Sequence, residues 1–234
     1  MNDKLYYDTI SVDQYENRKN RNVFEKYLYD HWHPILVEHI RSFCDKRNVL
    51  DLGCGSGAYL GFALESANRV LGLEVSQNML NVAKRRYPKA DFILGDAQKT
   101  GIENESLEVI YSVGLLEYVD VENVLKECHR ILKKNGHLLI LTPNKYGGRK
   151  YITRYLKRKK KSSARYYSRK EIVAALEKQG FNVDRIIMND GLVYLPKVIP
   201  DIVSSMIFRV IEVIFKMFSY NPFSQNMIFI ATKR

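Results

Sequence analysis

The sequence predicts a doubly wound α/β fold, a seven-stranded sheet with helices on both faces. Apolar runs of four to seven residues alternate along the chain with longer segments of helical periodicity. Such runs suit a parallel sheet whose strands are covered on both sides. The first run ends in a glycine-rich turn, which places a ligand beyond the strand C-termini where the winding reverses.

Strands are expected near 48–52, 69–74, 91–95, 107–113, 136–142, 182–188 and 227–232. Helices are expected at about 22–43, 57–66, 76–86, 120–134 and 168–179. Asn135-Gly136 is expected to end the fourth helix, as glycine does after a last turn carrying Lys133 and Lys134. Ser168 with Glu171 makes a capping box for the fifth. At 234 residues, 46% of them hydrophobic, the chain is expected to form a single domain.

Composition narrows the function classes. Cys44, Cys54 and Cys128 are odd in number and lack the short spacings of a zinc site or redox pair, so neither metal nor disulfide is expected. The polar, aromatic start MNDKLYYDTISVDQYENRKN lacks the apolar core of an export signal, so a cytoplasmic location is expected. The formal charge of +11 is local: residues 145–170 hold twelve Lys or Arg and no acid, and without them the charge falls to −1.

The segment NVLDLGCGSG (48–57) is an apolar strand running into the turn, with helical periodicity resuming at Ala58, Tyr59 and Leu60. Gly53, Gly55 and Gly57 let the backbone turn tightly and approach a ligand, while the following helix offers free amides. With Ala58 the turn also fits the G-x-G-x-x-A fingerprint of dinucleotide sites. Three carboxylates bear on the choice. Asp51, two residues before Gly53, is placed to accept from the loop or from an amino-acid ammonium. Glu74 closes the second strand, where a carboxylate suits the ribose hydroxyls of either ligand. Asp96 closes the third, placed to accept from an adenine amine.

Through VLDLGCGSG, LGLEVSQNML, FILGDAQ, VIYSVGLLEYV and ECHRILKKNGHLLILTPN, and again in YYSRKEIVAALEKQGFNVDRI, the chain resembles class I S-adenosylmethionine-dependent methyltransferases. The likeness is strongest to the branch of ubiquinone and menaquinone biosynthesis enzymes. The resemblance implies S-adenosylmethionine as cofactor and S-adenosylhomocysteine as product. It implies that Asp51 and the loop of Gly53, Cys54, Gly55 and Gly57 hold the methionine moiety, and Glu74 the ribose. Val75, Ser76 and Met79 would flank the adenine, Asp96 and Ala97 read its edge, and Ser112 and Val113 line the sulfonium. It further implies a terminal antiparallel hairpin, supplied by FNVDRIIM and MIFIATKR. The chain then divides into a helical lid (1–46), a cofactor core (47–143), a basic substrate insert (144–167) and an apolar helical insert (189–222).

The acceptor should bind where the fourth strand ends, in Gly114-Leu-Leu-Glu-Tyr118. Many relatives carry His at the Tyr118 position, and its absence here leaves the acceptor atom and the need for a general base open. Glu117 and Tyr118 are candidates for substrate contact, against a solvated Glu and a packed Tyr. His31 and His33, on the segment that lids the cofactor in relatives, are candidates for a base or a carboxylate contact. Tyr166 and Tyr167 stand where relatives place substrate-facing aromatics, with Tyr167 the candidate for orienting or cation-stabilising work.

Two inserts bear on partners. In 145–165 Tyr151, Ile152, Tyr155 and Leu156 fall at helical spacing among Lys and Arg, which reads as a basic amphipathic helix or a solvated loop. In 201–218 the polar residues trace one narrow stripe and the remainder is Ile, Val, Phe or Met; three spaced charges and Pro196 and Pro200 argue against a membrane span. That face requires burial against the domain, a second copy or an anionic lipid surface. The expected partner is therefore a lipid-like or anionic small molecule, with peripheral membrane attachment and a homodimer through 201–218 as further expectations. An RNA methyltransferase using the basic insert, and a non-catalytic binding protein, are the alternatives.

Overall fold

The computed structural model describes residues 23–147, 164–188 and 224–234, with positions 17, 203, 206, 207 and 210. Seven strands, β1 (Asn48–Leu52), β2 (Arg69–Glu74), β3 (Asp91–Leu94), β4 (Leu107–Val113), β5 (Leu132–Pro143), β6 (Phe181–Ile187) and β7 (Asn226–Lys233), form one sheet ordered β3-β2-β1-β4-β5-β7-β6. β1 to β5 run parallel, and β7 is antiparallel to both β5 and β6. β2 and β3 lie on one side of β1 while β4 lies on the other, so the winding reverses between β1 and β4. In open α/β sheets a ligand crevice lies at such a reversal, beyond the strand C-termini.

Both faces of the sheet are covered. Helices α1 (Val23–Cys44), α2 (Leu60–Leu64) and α3 (Gln77–Arg86) pack on one; α4 (Val121–Ile131) and α5 (Arg169–Lys178) pack on the other. In α1 the buried residues Trp32, Leu36, Ile40 and Cys44 recur every fourth position, one apolar stripe laid on the sheet. Ser76 caps α3, Asp120 caps α4, and Ser168 with Glu171 forms the reciprocal box that caps α5.

Six of the seven strands fall within one residue of expectation. The expected end of the fourth helix is corrected: α4 stops at Ile131 and β5 begins at Leu132. The last carbonyls of α4 find tertiary donors, Glu105 N–H to Arg130 O at 3.0 Å and Ser106 N–H to Ile131 O at 3.0 Å, so no glycine cap is required. Asn135-Gly136 instead shapes an irregularity where β5 carries four residues opposite the single Glu108 of β4. Asn135 takes φ +62° there, and a Cβ on Gly136 would stand 2.9 Å from the Lys133 carbonyl. The helix expected at 57–66 shrinks to α2 at Leu60–Leu64, because Gly55 and Gly57 adopt φ +55° and +88° and hold the chain in turns.

The basic amphipathic segment and most of the apolar helix lie outside the described residues. Positions 203, 206, 207 and 210 are helical, with Val203, Met206 and Val210 exposed. Among the described residues no helix is long and apolar enough to cross a membrane.

Glu127 of α4 fastens the segment that leaves β3. Its carboxylate accepts from the Thr100 amide (2.8 Å) and hydroxyl (2.7 Å) and from Arg130 (2.7 and 2.8 Å). The Arg130 and Thr100 hydrogen bonds outweigh burial and hold this carboxyl down at about 2. A folded-state value below the unfolded one, about 4.3, contributes stability that is complete above roughly pH 5 and is lost as pH falls toward 2. Glu127→Gln should therefore destabilise the protein at pH 7 by about 1.5–3 kcal/mol, with the difference shrinking below pH 4. Thermal melts of both proteins from pH 7 to pH 3 test this; a pH-independent difference would contradict it.

Candidate cofactor site

The glycine loop leaves β1 at the point where the winding reverses, and Gly53, Gly55 and Gly57 all take positive φ (+78°, +55° and +88°). Its amides are spoken for by β2. Gly53 and Cys54 donate to the Leu73 carbonyl at 2.8 and 3.0 Å, and Gly55 donates to Glu74 Oε2 at 3.0 Å. The other oxygen of Glu74 accepts from the Ser76 amide at 2.9 Å, and its carbonyl accepts from Gly95 at 3.0 Å. One residue thus ties the loop and the start of α3 through its carboxylate, and the end of β3 through its carbonyl. Of the two partners the sequence offers Asp51, the loop or an ammonium, the loop is not the one: the Gly53, Cys54 and Gly55 amides go to Leu73 and Glu74, because β2 lies beside the turn. A Cβ on Gly55 would meet nothing within 4 Å, so this face of the cradle is open, while Gly53 is closed by Leu115 and Gly57 by Tyr87.

Asp51 lies beneath the loop at 3% exposure. The Tyr111 hydroxyl of β4 lies beside its carboxyl, near enough to act on it as a hydrogen-bond donor though short of full hydrogen-bond geometry. Burial, reinforced by the nearby charge of Glu74 and opposed by Tyr111, pushes Asp51 up to about 8. A carboxyl raised this far is stored without a compensating cation, and the arrival of a positive group would ionise it.

The end of β4 forms the opposite wall. Ser112 Oγ donates to the Leu52 carbonyl at 2.9 Å, so its hydroxyl locks β4 to β1 while Val113 remains half-buried. Gly114 turns the chain at φ +67° into a single 3-10 turn, Leu116–Tyr118. Leu115 reaches back to within 3.2 Å of where a Gly53 Cβ would stand. Glu117 is buried at 7% exposure, not solvated, and faces Gly114, whose Cβ would stand 3.5 Å from Glu117 Oε1. Tyr118 is half-buried.

The remaining candidates lie at graded distances from this centre. Ser76 accepts from the Met79 amide at 3.4 Å, with Met79 buried and Val75 exposed at the rim. Asp96 is exposed beyond β3 and accepts from the Gln98 amide at 2.8 Å, while Ala97 is buried. His33 stacks on Tyr29 at 4.6 Å and meets Tyr59 and Phe62, the residues just past the loop, at 5.7 and 5.5 Å. His31 meets Trp32 edge-on at 5.5 Å, and its two-residue offset turns it to the other side of α1 from His33. Tyr167 is buried beneath the Arg165 guanidinium at 5.0 Å, and the Arg165 amide donates to the Glu117 carbonyl at 2.7 Å.

Sequence reasoning did not single out Tyr111, and it reached Leu115 and Arg165 only as members of the Gly114–Tyr118 acceptor segment and the basic substrate insert. Tyr111 was legible only as a polar tip inside VIYSV, an otherwise apolar strand with Ser112 beside it.

Residues 50–140 match the family described as a methyltransferase domain. Over that segment the chain carries a methyltransferase domain. It is 31% identical over 129 residues to the ubiquinone/menaquinone biosynthesis C-methyltransferase of Campylobacter jejuni, covering 50% of this chain and 55% of that protein. The chain spans about half the length of the curated methyltransferases it matches. A solved S-adenosylmethionine-dependent methyltransferase from Archaeoglobus fulgidus superposes with a TM-score of 0.65 at 20% identity, covering 96% of this chain and 100% of that one. The geranyl diphosphate C-methyltransferase of Streptomyces coelicolor superposes at 0.62 and 18% identity, covering 86% and 79%; these two likenesses concern the fold.

In this methyltransferase domain the bonds of Glu74, like those of Glu127, are open to disruption by a single atom change. Glu74→Gln turns an NH₂ group toward one of two backbone donors, and an unsatisfied buried group costs about 1–3 kcal/mol. The expected result is a lower melting temperature and faster amide exchange at Gly55 or Ser76. Unchanged exchange at both would show that the clamp is dispensable.

Proposed function

We propose that this protein transfers the methyl group of S-adenosylmethionine to a small, anionic or prenylated acceptor. The observation that carries the reading is the buried Asp51 carboxyl, pushed up to about 8 beneath the open face of the Gly55 cradle. It fits an amino-acid ammonium, a cation that a dinucleotide does not bring. The other residues fit the same group. The loop of Gly53, Cys54, Gly55 and Gly57 would hold the methionine moiety. Glu74, although both oxygens accept backbone amides, keeps lone pairs for ribose hydroxyls. Val75, Ser76 and Met79 would flank the adenine, Asp96 and Ala97 would meet its edge, and Ser112 and Val113 would border the sulfonium. When bound, the cofactor supplies a methyl group activated by positive sulfur.

The chain's own task is to hold the acceptor in line with that methyl, and alignment of this kind supplies much of the rate. Gly114, Leu115 and Glu117 border the place where the acceptor would stand. Glu117, buried at the pocket wall, is our candidate for receiving a proton from a hydroxyl or acidic carbon acceptor. Tyr118 and His33 are candidates for shaping the entrance, His33 through its contacts with Tyr59 and Phe62. His31 faces elsewhere and is the weakest of the set.

Acceptor charge is argued from position. Arg165 lies over buried Tyr167, and its backbone is bonded to Glu117, so a cation stands on the acceptor side of the site. It belongs to the run of twelve basic residues at 145–170. A relative named for quinone biosynthesis and a structural neighbour solved with geranyl diphosphate support a prenylated or phosphorylated partner.

Calorimetry with S-adenosylmethionine should show binding that weakens about tenfold or more in Asp96→Ala, a loss of at least 1.4 kcal/mol. The absence of any heat at millimolar cofactor would refute the proposal. Once an acceptor is found by product mass analysis, Glu117→Gln should keep cofactor affinity while turnover falls by about 10²–10⁴. Unchanged turnover would remove Glu117 from the chemistry. Arg165→Ala should raise KM for an anionic acceptor with little change in kcat, and an unchanged KM would remove Arg165 from acceptor binding.

A further inference from the structure

Tyr111 is out of place as a core residue. It lies within β4, a strand whose neighbours Val109 and Ile110 are buried aliphatics, and it is itself fully buried. Its hydroxyl is shielded from water and has no partner at full hydrogen-bond geometry. Buried polar atoms are ordinarily paired, and the group nearest to pairing with this hydroxyl is the Asp51 carboxyl, whose acidity it already raises.

The register of the sheet shows why. β1 and β4 are parallel neighbours, and Asp51 pairs with Tyr111. Paired residues of adjacent strands project from the same side of a sheet, so phenol and carboxyl stand side by side under the glycine loop. The other groups facing Asp51 are Glu74 of β2, Cys54 of the loop and Cys44 of α1, with Arg47 bearing on Cys44 from the α1–β1 turn. The three that face the carboxyl bring no positive charge to it.

We propose that Tyr111 is a positioning residue of the cofactor pocket, whose hydroxyl closes onto the Asp51 carboxylate when an ammonium group enters beneath the glycine loop. This rests on the reading of the pocket as an S-adenosylmethionine site. Without ligand, burial keeps the Asp51 carboxyl protonated up to about pH 8, and the neutral acid needs no strong donor. An ammonium ligand requires the ionised form. Tyr111 then donates a charge-assisted hydrogen bond that aims the carboxylate and favours its ionised state. Binding below about pH 8 releases the Asp51 proton to solvent, and affinity rises with pH up to that point.

The test is calorimetry from pH 6 to pH 9 on the wild-type protein and Tyr111→Phe, with two probes. S-adenosylhomocysteine carries the ammonium; methylthioadenosine keeps the nucleoside and lacks it. Tyr111→Phe should weaken S-adenosylhomocysteine about tenfold and move the acid limb of its profile to higher pH, leaving methylthioadenosine unchanged. Equal losses for both probes, or an unshifted limb, would reduce Tyr111 to a packing residue and overturn the proposal. If neither probe binds the wild-type protein, the cofactor reading falls and this one with it. Should the variant not fold, isotope-labelled tyrosine in the wild-type protein answers the same question. The Tyr111 signal should shift with S-adenosylhomocysteine and not with methylthioadenosine; an unmoved signal overturns the inference.

Discussion

The carboxylate of Glu74 is the constraint on which the rest of the site depends. Its two oxygens hold the amides of Gly55 and Ser76 at 3.0 and 2.9 Å, and these belong to segments nineteen and two residues away along the chain. Without it the glycine loop, whose residues take left-handed backbone angles, would lose the side-chain acceptor that holds the Gly55 amide. The same residue adds negative charge near Asp51 and so helps keep that buried carboxyl protonated. Loop geometry and pocket electrostatics therefore rest on one side chain at the end of β2.

Around this clamp the pocket is built from strand ends that differ in rigidity. Asp51 and Ser112 are held inside the sheet, where register leaves little freedom, and Ser112 joins β4 to β1 through the Leu52 carbonyl. Asp96 is exposed and held by the local turn that Gln98 makes. On the proposed reading the ammonium end of the pocket is buried in the sheet and the adenine end is exposed at its edge. The acceptor side is different again: Glu117 is buried, yet its neighbour Arg165 belongs to the basic run, much of which lies outside the described residues. Cofactor recognition is placed on the scaffold and acceptor recognition on connections, a division that lets one fold serve many substrates.

Much of this was legible in the residues alone. The strands could be read because nearly continuous apolar runs have few alternatives once bounded by turn residues, and the Ser168–Glu171 box was recognisable because its two hydrogen bonds are local. The end of α4 was misread because its carbonyls are satisfied by Glu105 and Ser106, fifteen or more residues earlier in the chain, which no local rule anticipates. For Glu117 the residue type left substrate contact and a solvated acid both open, and the turn after Gly114, which folds it inward, excludes the solvated one.

Residue order by itself determined the winding of the sheet, the position of the glycine turn and the three carboxylates of the cofactor pocket, because periodicity, backbone freedom and charge are properties of neighbouring residues. Only the tertiary structure decided which carboxylate does what. Glu74 takes the Gly55 amide because β2 lies beside the turn, and Asp51 is left buried next to Tyr111 because β1 and β4 pair in that register. These are contacts between segments distant in sequence, and their energies depend on burial and distance, quantities that exist once the chain has folded.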